Sequence, residues 1–314
     1  MDQGRGSVKL SLVLPVFNEA ENLRAFFEEL LANLDSLEME LEAIFVNDGS
    51  RDASLEVMRE LKDEFGARVV IVILDLARNF GHPAAVTAGI EQATGDAVLL
   101  MDTDMQDDPA AIRKMVTKWK DGADVVYATR TTRKEPLPLR MLFHAYHRLF
   151  STITPIEVPP AAGNFGLIDR RVADEIRRLP EHNRYFPGLR AWVGFRQEGL
   201  EVPRRARSAG PSRVGLAGLT ELALDGLLGF SALPLRLAFA AAIVLALAAL
   251  VGIAAIFYIK IFTDMAVPMW SSIMTVVLFS SSVQFFLIGL LGEYVARIYS
   301  EVKHRPHFIV RKRY

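Results

Sequence analysis

Ala97-Val98-Leu99-Leu100-Met101-Asp102-Thr103-Asp104 is the stretch that decides the fold. Five apolar residues run without a charge and stop at two carboxylates spaced i, i+2. A short continuous apolar run reads as a strand buried on both faces, as in a parallel sheet covered by helices. The acids then stand at the strand's carboxyl end. Gln106, Asp107 and Asp108 lie just beyond, and Pro109 opens a helix. In open α/β sheets ligands bind outside the carboxyl ends of the strands.

The same alternation extends outward from this strand. Lys9–Pro15, Glu42–Asn47, Val69–Leu74 and Asp124–Tyr127 read as further strands. Glu19–Leu34, Asp52–Phe65, Pro83–Ala93 and Pro109–Lys120 read as the helices between them. The pattern predicts an α/β fold, a mostly parallel sheet with helices on both faces. Arg130–Phe150 is basic, is broken by Pro136 and Pro138, and reads as a mobile segment leading into a helix. Gly163–Asp169 reads as another strand and Arg170–Leu179 as another helix.

Polar residues gather at the predicted strand ends: Asn18-Glu19, Asn47-Asp48-Gly49-Ser50, Arg78-Asn79 and Asp102-Thr103-Asp104. Two carboxylates at i, i+2 after a strand can converge on one hard cation, and Mg²⁺ and Mn²⁺ take oxygen ligands together with substrate phosphates. Such an ion would neutralise a diphosphate leaving group. Capping of the helix at Pro109 is the competing role for these acids; their register with three other polar strand ends favours the metal. Asp48 suits a hydrogen bond from a base or ribose, and Asp52 suits a helix cap. For Glu19, as for Asp48, a structural role is an even alternative. Arg78 is placed to contact a donor, whereas His82 reads as a surface histidine.

Two uncharged runs, Leu237–Ile259 and Val267–Gly292, follow this soluble half. About 20 helical residues cross a hydrocarbon core of about 30 Å, and the first run would reach roughly 35 Å. Gly215–Phe230 has Leu216, Leu219, Leu222, Ala223, Leu227 and Phe230 at helical spacing. It reads as an interfacial amphipathic helix, with an ordinary core-facing helix as the equal alternative. Arg236 precedes the first run, and Arg297, Lys303, Arg305, Arg311, Lys312 and Arg313 follow the second, while the connecting loop carries only Asp264. The positive-inside rule then places both termini in the cytoplasm and a short hairpin loop outside. Four arginines and no acid lie in Pro203–Arg213. That favours an anionic membrane surface or a phosphate group, against plain solvated charge. The expected division is 1–214 catalytic, 215–232 interfacial, 233–296 a transmembrane hairpin and 297–314 a basic cytoplasmic tail.

Composition agrees with this division. Hydrophobic content is 51% over 314 residues, and the two terminal runs account for the excess. The net charge of −1 supports no nucleic-acid partner. The absence of cysteine excludes disulfides and Cys-based zinc sites. Ser280–Ser282 and Gly289 are small enough for a homo-oligomer interface, or are simply tolerated in a span.

PVFNEAENL, FVNDGSRDAS, LARNFGHPAAVTAGI and LLMDTDMQDDP together resemble glycosyltransferase family 2, with its GT-A nucleotide-diphospho-sugar transferase fold. LPEHNRYFPGLRAWVGFRQ, FSALPLRL and LGEYVARIYSEVKHRPHFIV are similar to the bacterial polyprenyl-phosphate branch. That branch holds GtrB-like and ArnC-like enzymes and is related to dolichol-phosphate mannose synthase. The resemblance covers nearly the whole chain. It implies an inverting transfer of a sugar from a nucleotide diphosphate, with UDP as the first guess, to polyprenyl phosphate, at the cytoplasmic face of a bacterial inner membrane. By motif match, Pro15, Glu19 and Asp48 would hold the nucleoside. Asp102, Asp104 and Gln106 would surround Mg²⁺ or Mn²⁺ and the diphosphate. Arg207, Ser212 and Arg213 would meet the acceptor phosphate.

The chain departs from the family at Gly163-Asn164-Phe165-Gly166, where many relatives have Gly-Asp-Phe-Arg. Asn164 cannot take a proton at neutral pH. A phosphate monoester is already largely ionised there, with a second pKa of about 6. Such a nucleophile needs placement and a neutralised leaving group more than a base. Catalysis is therefore expected to survive, with Asn164 positioning substrate. Two other classes stand beside this reading: a processive polysaccharide synthase, and a non-catalytic nucleotide-sugar-binding membrane subunit. The first usually carries Gln-x-x-Arg-Trp, which neither Gln197 nor Gln284 begins. The Asp102/Asp104 pair argues against the second.

Overall fold

The structure is a computed structural model that describes residues 8–130, 162–182, 184–203, 233–262 and 270–314. The chain divides into two units, Met1–Gly226 with Pro306–Tyr314, and Leu227–Arg305. The expected amphipathic helix over Gly215–Phe230, residues 131–150, and the acceptor residues Arg207, Ser212 and Arg213 lie outside the described residues.

In the first unit the chain runs β1 (Lys9–Val16), α1 (Ala20–Leu34), β2 (Glu40–Asn47), α2 (Ser54–Phe65), β3 (Val70–Leu76), α3 (His82–Gln92), β4 (Ala97–Leu100) and α4 (Ala111–Lys120). It continues through β5 (Val125–Arg130), β6 (Ala162–Asp169), α5 (Arg170–Arg178), α6 (Phe186–Trp192) and β7 (Gln197–Val202). After the second unit it ends in β8 (Val310–Arg313). Among the described residues the strands form one sheet in the order β7-β5-β6-β4-β1-β2-β3-β8.

Side-chain alternation along the central strands fills two core layers. Leu10, Leu12 and Leu14 pack with Phe26, Phe27 and Leu30 of α1, Met58 of α2 and Met115 of α4. Val13, Ile44 and Val46 face the other way, onto Ala85 and Val86 of α3, Val172 of α5 and Phe186 of α6. A Cβ on Gly89 would lie 2.2 Å from a methyl of Val13, so α3 lies directly against β1. This close contact seats the later part of α3 on the middle of β1.

The core strands β4, β1, β2 and β3 are parallel, as the alternation predicts. The flanks are mixed. β6 runs antiparallel to both β4 and β5, and β8 antiparallel to β3. An apolar run such as Phe165–Ile168 suits a buried strand of either direction, so its polarity is set by the connection and not by the pattern. β7, β8 and α6 were not anticipated. β7 and β8 are edge strands rich in charge, joined to the sheet through their backbones.

The second unit consists of α7 (Leu233–Phe262) and α8 (Trp270–Val302). Both are long and apolar enough to cross a membrane, over Leu233–Gly252 and Val276–Val302. The second stretch lies further along the chain than Val267–Gly292. Its helix absorbs the charged residues there: Glu293 and Arg297 pair across one turn at 3.0 Å.

Candidate active site

One cavity of about 390 Å³ opens at the carboxyl ends of β1, β2, β4 and the strands beside them. Its lining brings together Pro15, Glu19, Asp48, Asp102, Asp104 and Asn164, residues up to 149 positions apart. Asn79, Gly81 and His82 complete the rim beyond β3. The convergence follows from strand order. Asp48 follows β2, Pro15 is next to last on β1, Asp102 lies just beyond β4 and Asn164 lies on β6, and these four strands are consecutive neighbours in the sheet.

The rim is pinned by short polar contacts. Asn18, at φ 54°, presents its Oδ1 to the Arg51 N–H at 2.8 Å, and its own N–H donates to Ser50 Oγ at 3.0 Å. Asp52 accepts from Ser54 N at 3.0 Å and from Ala20 N at 3.2 Å. It therefore ties the starts of α1 and α2 together, the structural role expected of it. Burial raises its pKa, but the Ser54 and Ala20 donors outweigh this and leave it below the ordinary value.

Asp48 is buried. Its two oxygens accept from Phe80 N at 2.7 Å and Gly81 N at 3.0 Å. Gly49, at φ 67°, makes this approach possible: a Cβ there would sit 2.5 Å from the Arg78 carbonyl carbon and Asn79 nitrogen. Any other residue would push the β2 turn away from the β3 loop. Burial holds the Asp48 carboxyl above its usual pKa, against the two N–H bonds and the charges of His82 and Arg78.

His82 is exposed, as read from the sequence, and it also lines the cavity. Its Nε2 lies 2.7 Å from Asp102 Oδ1, with the ring 40% exposed at the cavity. Burial lowers its pKa, but the charge and hydrogen bond of Asp102 and the charges of Asp48 and Asp104 outweigh this and raise it. The sequence signal was available: His82 is the first residue of a helix that starts beside a polar strand end.

Asp104 Oδ1 accepts from Gln106 N at 3.1 Å, and Thr103 Oγ1 donates to Pro15 O at 3.1 Å, so the Asp-x-Asp turn is tied to the end of β1. Asp102 and Asp104 line the same cavity and offer hard oxygen donors. Among the described residues no third Asp, Glu or His joins them as a ready-made metal cage. Two carboxylates still fit a divalent ion that takes its remaining ligands from substrate phosphates and water. Gln106 contributes its backbone to the turn and is outside the cavity lining. Arg78 likewise does not line the cavity; its guanidinium lies 4.0 Å from the Phe80 ring and bonds the Asn79 carbonyl.

The mixed sheet with helices on both faces, and the carboxylates at its strand ends, have the GT-A-like form implied by the resemblance. The chain matches Glycosyl transferase family 2 over residues 11–177, and it belongs to that family. Its residues 233–298 match the GtrB C-terminal hairpin. It is 40% identical to the glycosyltransferase YkcC of Bacillus subtilis, over 98% of this chain and 94% of that one. It is 36% identical to the SfII prophage-derived bactoprenol glucosyl transferase of Shigella flexneri, over 97% of this chain and 98% of that one.

Proposed function

We propose that this chain is a membrane-anchored, inverting glycosyltransferase that moves a sugar from a nucleotide diphosphate sugar, first a UDP-sugar, to polyprenyl phosphate at the cytoplasmic face. The observation that carries the reading is the single cavity lined by Pro15, Glu19, Asp48, Asp102, Asp104 and Asn164. Similarity to a bactoprenol glucosyl transferase over nearly both full lengths supports a lipid phosphate acceptor. Two helices apolar enough to cross a membrane support the anchor. Both ends of that helical unit continue into the same globular unit, which favours a hairpin with its two ends on one side.

In this reading the nucleoside lies between Pro15, Glu19 and Asp48. Asp102 and Asp104 would hold Mg²⁺ or Mn²⁺, which when bound neutralises charge on the leaving diphosphate. His82 fixes the orientation of Asp102 by its contact at 2.7 Å. An acceptor phosphate oxygen attacks the anomeric carbon from the face opposite the diphosphate. A new carbon–oxygen bond forms as the old one breaks, and its electron pair leaves with the nucleoside diphosphate. The acceptor arrives as an ionised monoester, so no side chain need take a proton. Asn164 aligns substrate. Arg207, Ser212 and Arg213 are proposed to meet the acceptor phosphate.

The test is incubation of the purified chain and undecaprenyl phosphate with a panel of radiolabelled nucleotide sugars. Label in a chloroform-soluble product is expected. Label in long polymer, or no transfer from any donor, would overturn the proposal.

A further inference from the structure

Arg190 on α6 is 1% exposed and is the largest fully buried side chain among the described residues. Its Nη1 makes one long contact, 3.4 Å to the Gly163 carbonyl. The guanidinium lies 4.6 Å from the centre of the Tyr127 ring and 6.0 Å from that of Phe186. Nε and Nη2 have no hydrogen-bond partner, and no carboxylate pairs with it among the described residues. Burial pulls its pKa down to about 10, so it is still charged at neutral pH.

Two neighbouring arginines, Arg184 buried and Arg177 half-buried, show what a structural role looks like here. Arg184 bonds the carbonyls of Leu179 at 2.7 Å and Ile176 at 2.8 Å, closing the end of α5. Arg177 bonds the carbonyls of Ile90 and Ala93 and the carboxylate of Asp174. Arg190 has no such set. A buried charge without a counter-charge destabilises the fold, and apolar replacements of buried charges are often neutral or stabilising.

Its position gives the charge a use. Phe165 and Leu167 point into the layer of α1 and α4, and Ile168 into the layer of α3, α5 and α6. Asn164 lines the cavity together with His82 and Ala85 of α3, the helix that covers the same face of the sheet as α6. The Gly163 carbonyl that Arg190 contacts belongs to the peptide bond leading into Asn164. Arg190 therefore lies behind the β6 end of the rim, three strands from β2, which Asp48 follows.

We propose that Arg190 is a positioning residue for the acceptor phosphate: its uncompensated charge fixes the Gly163–Asn164 peptide and favours an oxyanion at the β6 end of the cavity. The proposal rests on the glycosyl transfer proposed above. Phosphate chemistry at this end could come from the acceptor monoester or from the donor diphosphate. The placement opposite Asp48 assigns it to the acceptor.

The test compares the full-length wild type with Arg190→Met and Arg190→Lys, in detergent, using the nucleotide sugar that the wild type turns over and undecaprenyl phosphate. Melting temperature and the KM of each substrate are read separately. Arg190→Met is expected to melt at or above the wild-type temperature and to raise acceptor KM at least about tenfold, leaving donor KM unchanged. Arg190→Lys, which keeps the charge, is expected to recover most of that loss. An unchanged acceptor KM in Arg190→Met overturns the proposal. So does a rise confined to donor KM, which would move the phosphate to the donor. A lower melting temperature or failure to fold also overturns it, because the charge would then be stabilising. A wild type inert to every donor overturns the functional reading itself, and is told apart by appearing without any substitution.

Discussion

Glu42 on β2 and Asp48, just past its carboxyl end, lie six residues apart, and each is only 3% exposed. Their surroundings treat them in opposite ways. Glu42, near the amino end, accepts from Ser11 Oγ at 2.5 Å, Thr94 N at 2.9 Å, Thr94 Oγ1 at 2.9 Å and Lys9 Nζ at 3.2 Å. Burial pushes its pKa up, but those donors outweigh burial and hold it below the ordinary value. Asp48, at the carboxyl end, has two backbone N–H donors, and there burial wins. One strand and the turn after it thus carry a carboxylate saturated by its own fold and another whose environment is finished only by the cavity it faces. The difference separates a carboxylate that holds this sheet together from one that lines its cavity.

The comparison breaks if substitutions at the two ends behave alike. The largest effect is expected from Asp104→Ala, which should lower transfer about 10³-fold with an unchanged melting temperature. Retention of activity in excess chelator would remove its metal role. Next comes Glu42→Gln, which should cost about 2–3 kcal/mol of stability, because it leaves buried donors facing an amide, while the kinetics of the remaining folded enzyme stay unchanged. The same carboxylate sets a pH dependence. Its folded pKa is depressed, so its stabilisation is complete above the unfolded value near 4.5 and is lost as pH falls through the folded value. Denaturant titrations from pH 6 downward should show that loss in the wild type and its reduction in Glu42→Gln.

Asp48→Asn should act on both properties, more weakly. An amide N–H in place of one oxygen would face the N–H of Phe80 or Gly81, at about 1–2 kcal/mol, and release the β3 loop. Nucleotide affinity measured by calorimetry should fall about tenfold. The smallest change is expected at the sheet edge. Arg311 reaches the buried Asp75 only at 3.7 Å and is 59% exposed, so Arg311→Ala should cost less than about 1 kcal/mol. A larger loss would show that its bonds to the Leu76 and Ala77 carbonyls, at 3.2 and 3.1 Å, hold the β3 edge more firmly than their exposure suggests.

The parallel core and the polar strand ends were legible because buried parallel strands read as unbroken apolar runs that stop where ligands bind. Asp102, Asp104, Glu19 and Asp48 could be collected in this way, and Pro15 by the resemblance of its motif, before any distance was known. His82 left only the weaker signal of a helix start beside a polar strand end, since a single imidazole has no periodicity; its partner Asp102 lies 20 residues away in sequence and 2.7 Å away in space. The direction of β6 was equally hidden, because alternation has no polarity. Val310–Arg313 reads as a charged tail, and only backbone pairing with β3 makes it a strand. Arg190 sat inside a motif noted for resemblance, with no indication in its neighbours that its charge would be left uncompensated.

β8 has a consequence for how the protein is made. Tyr314 exchanges backbone hydrogen bonds with Ile73, at 3.0 and 3.2 Å, across an interval of 241 residues. During translation β3 therefore emerges with its outer edge bare, and its partner appears only after both apolar helices have left the ribosome. An exposed strand edge invites pairing with other chains. The β3 edge is covered last, by the segment that follows the two apolar helices.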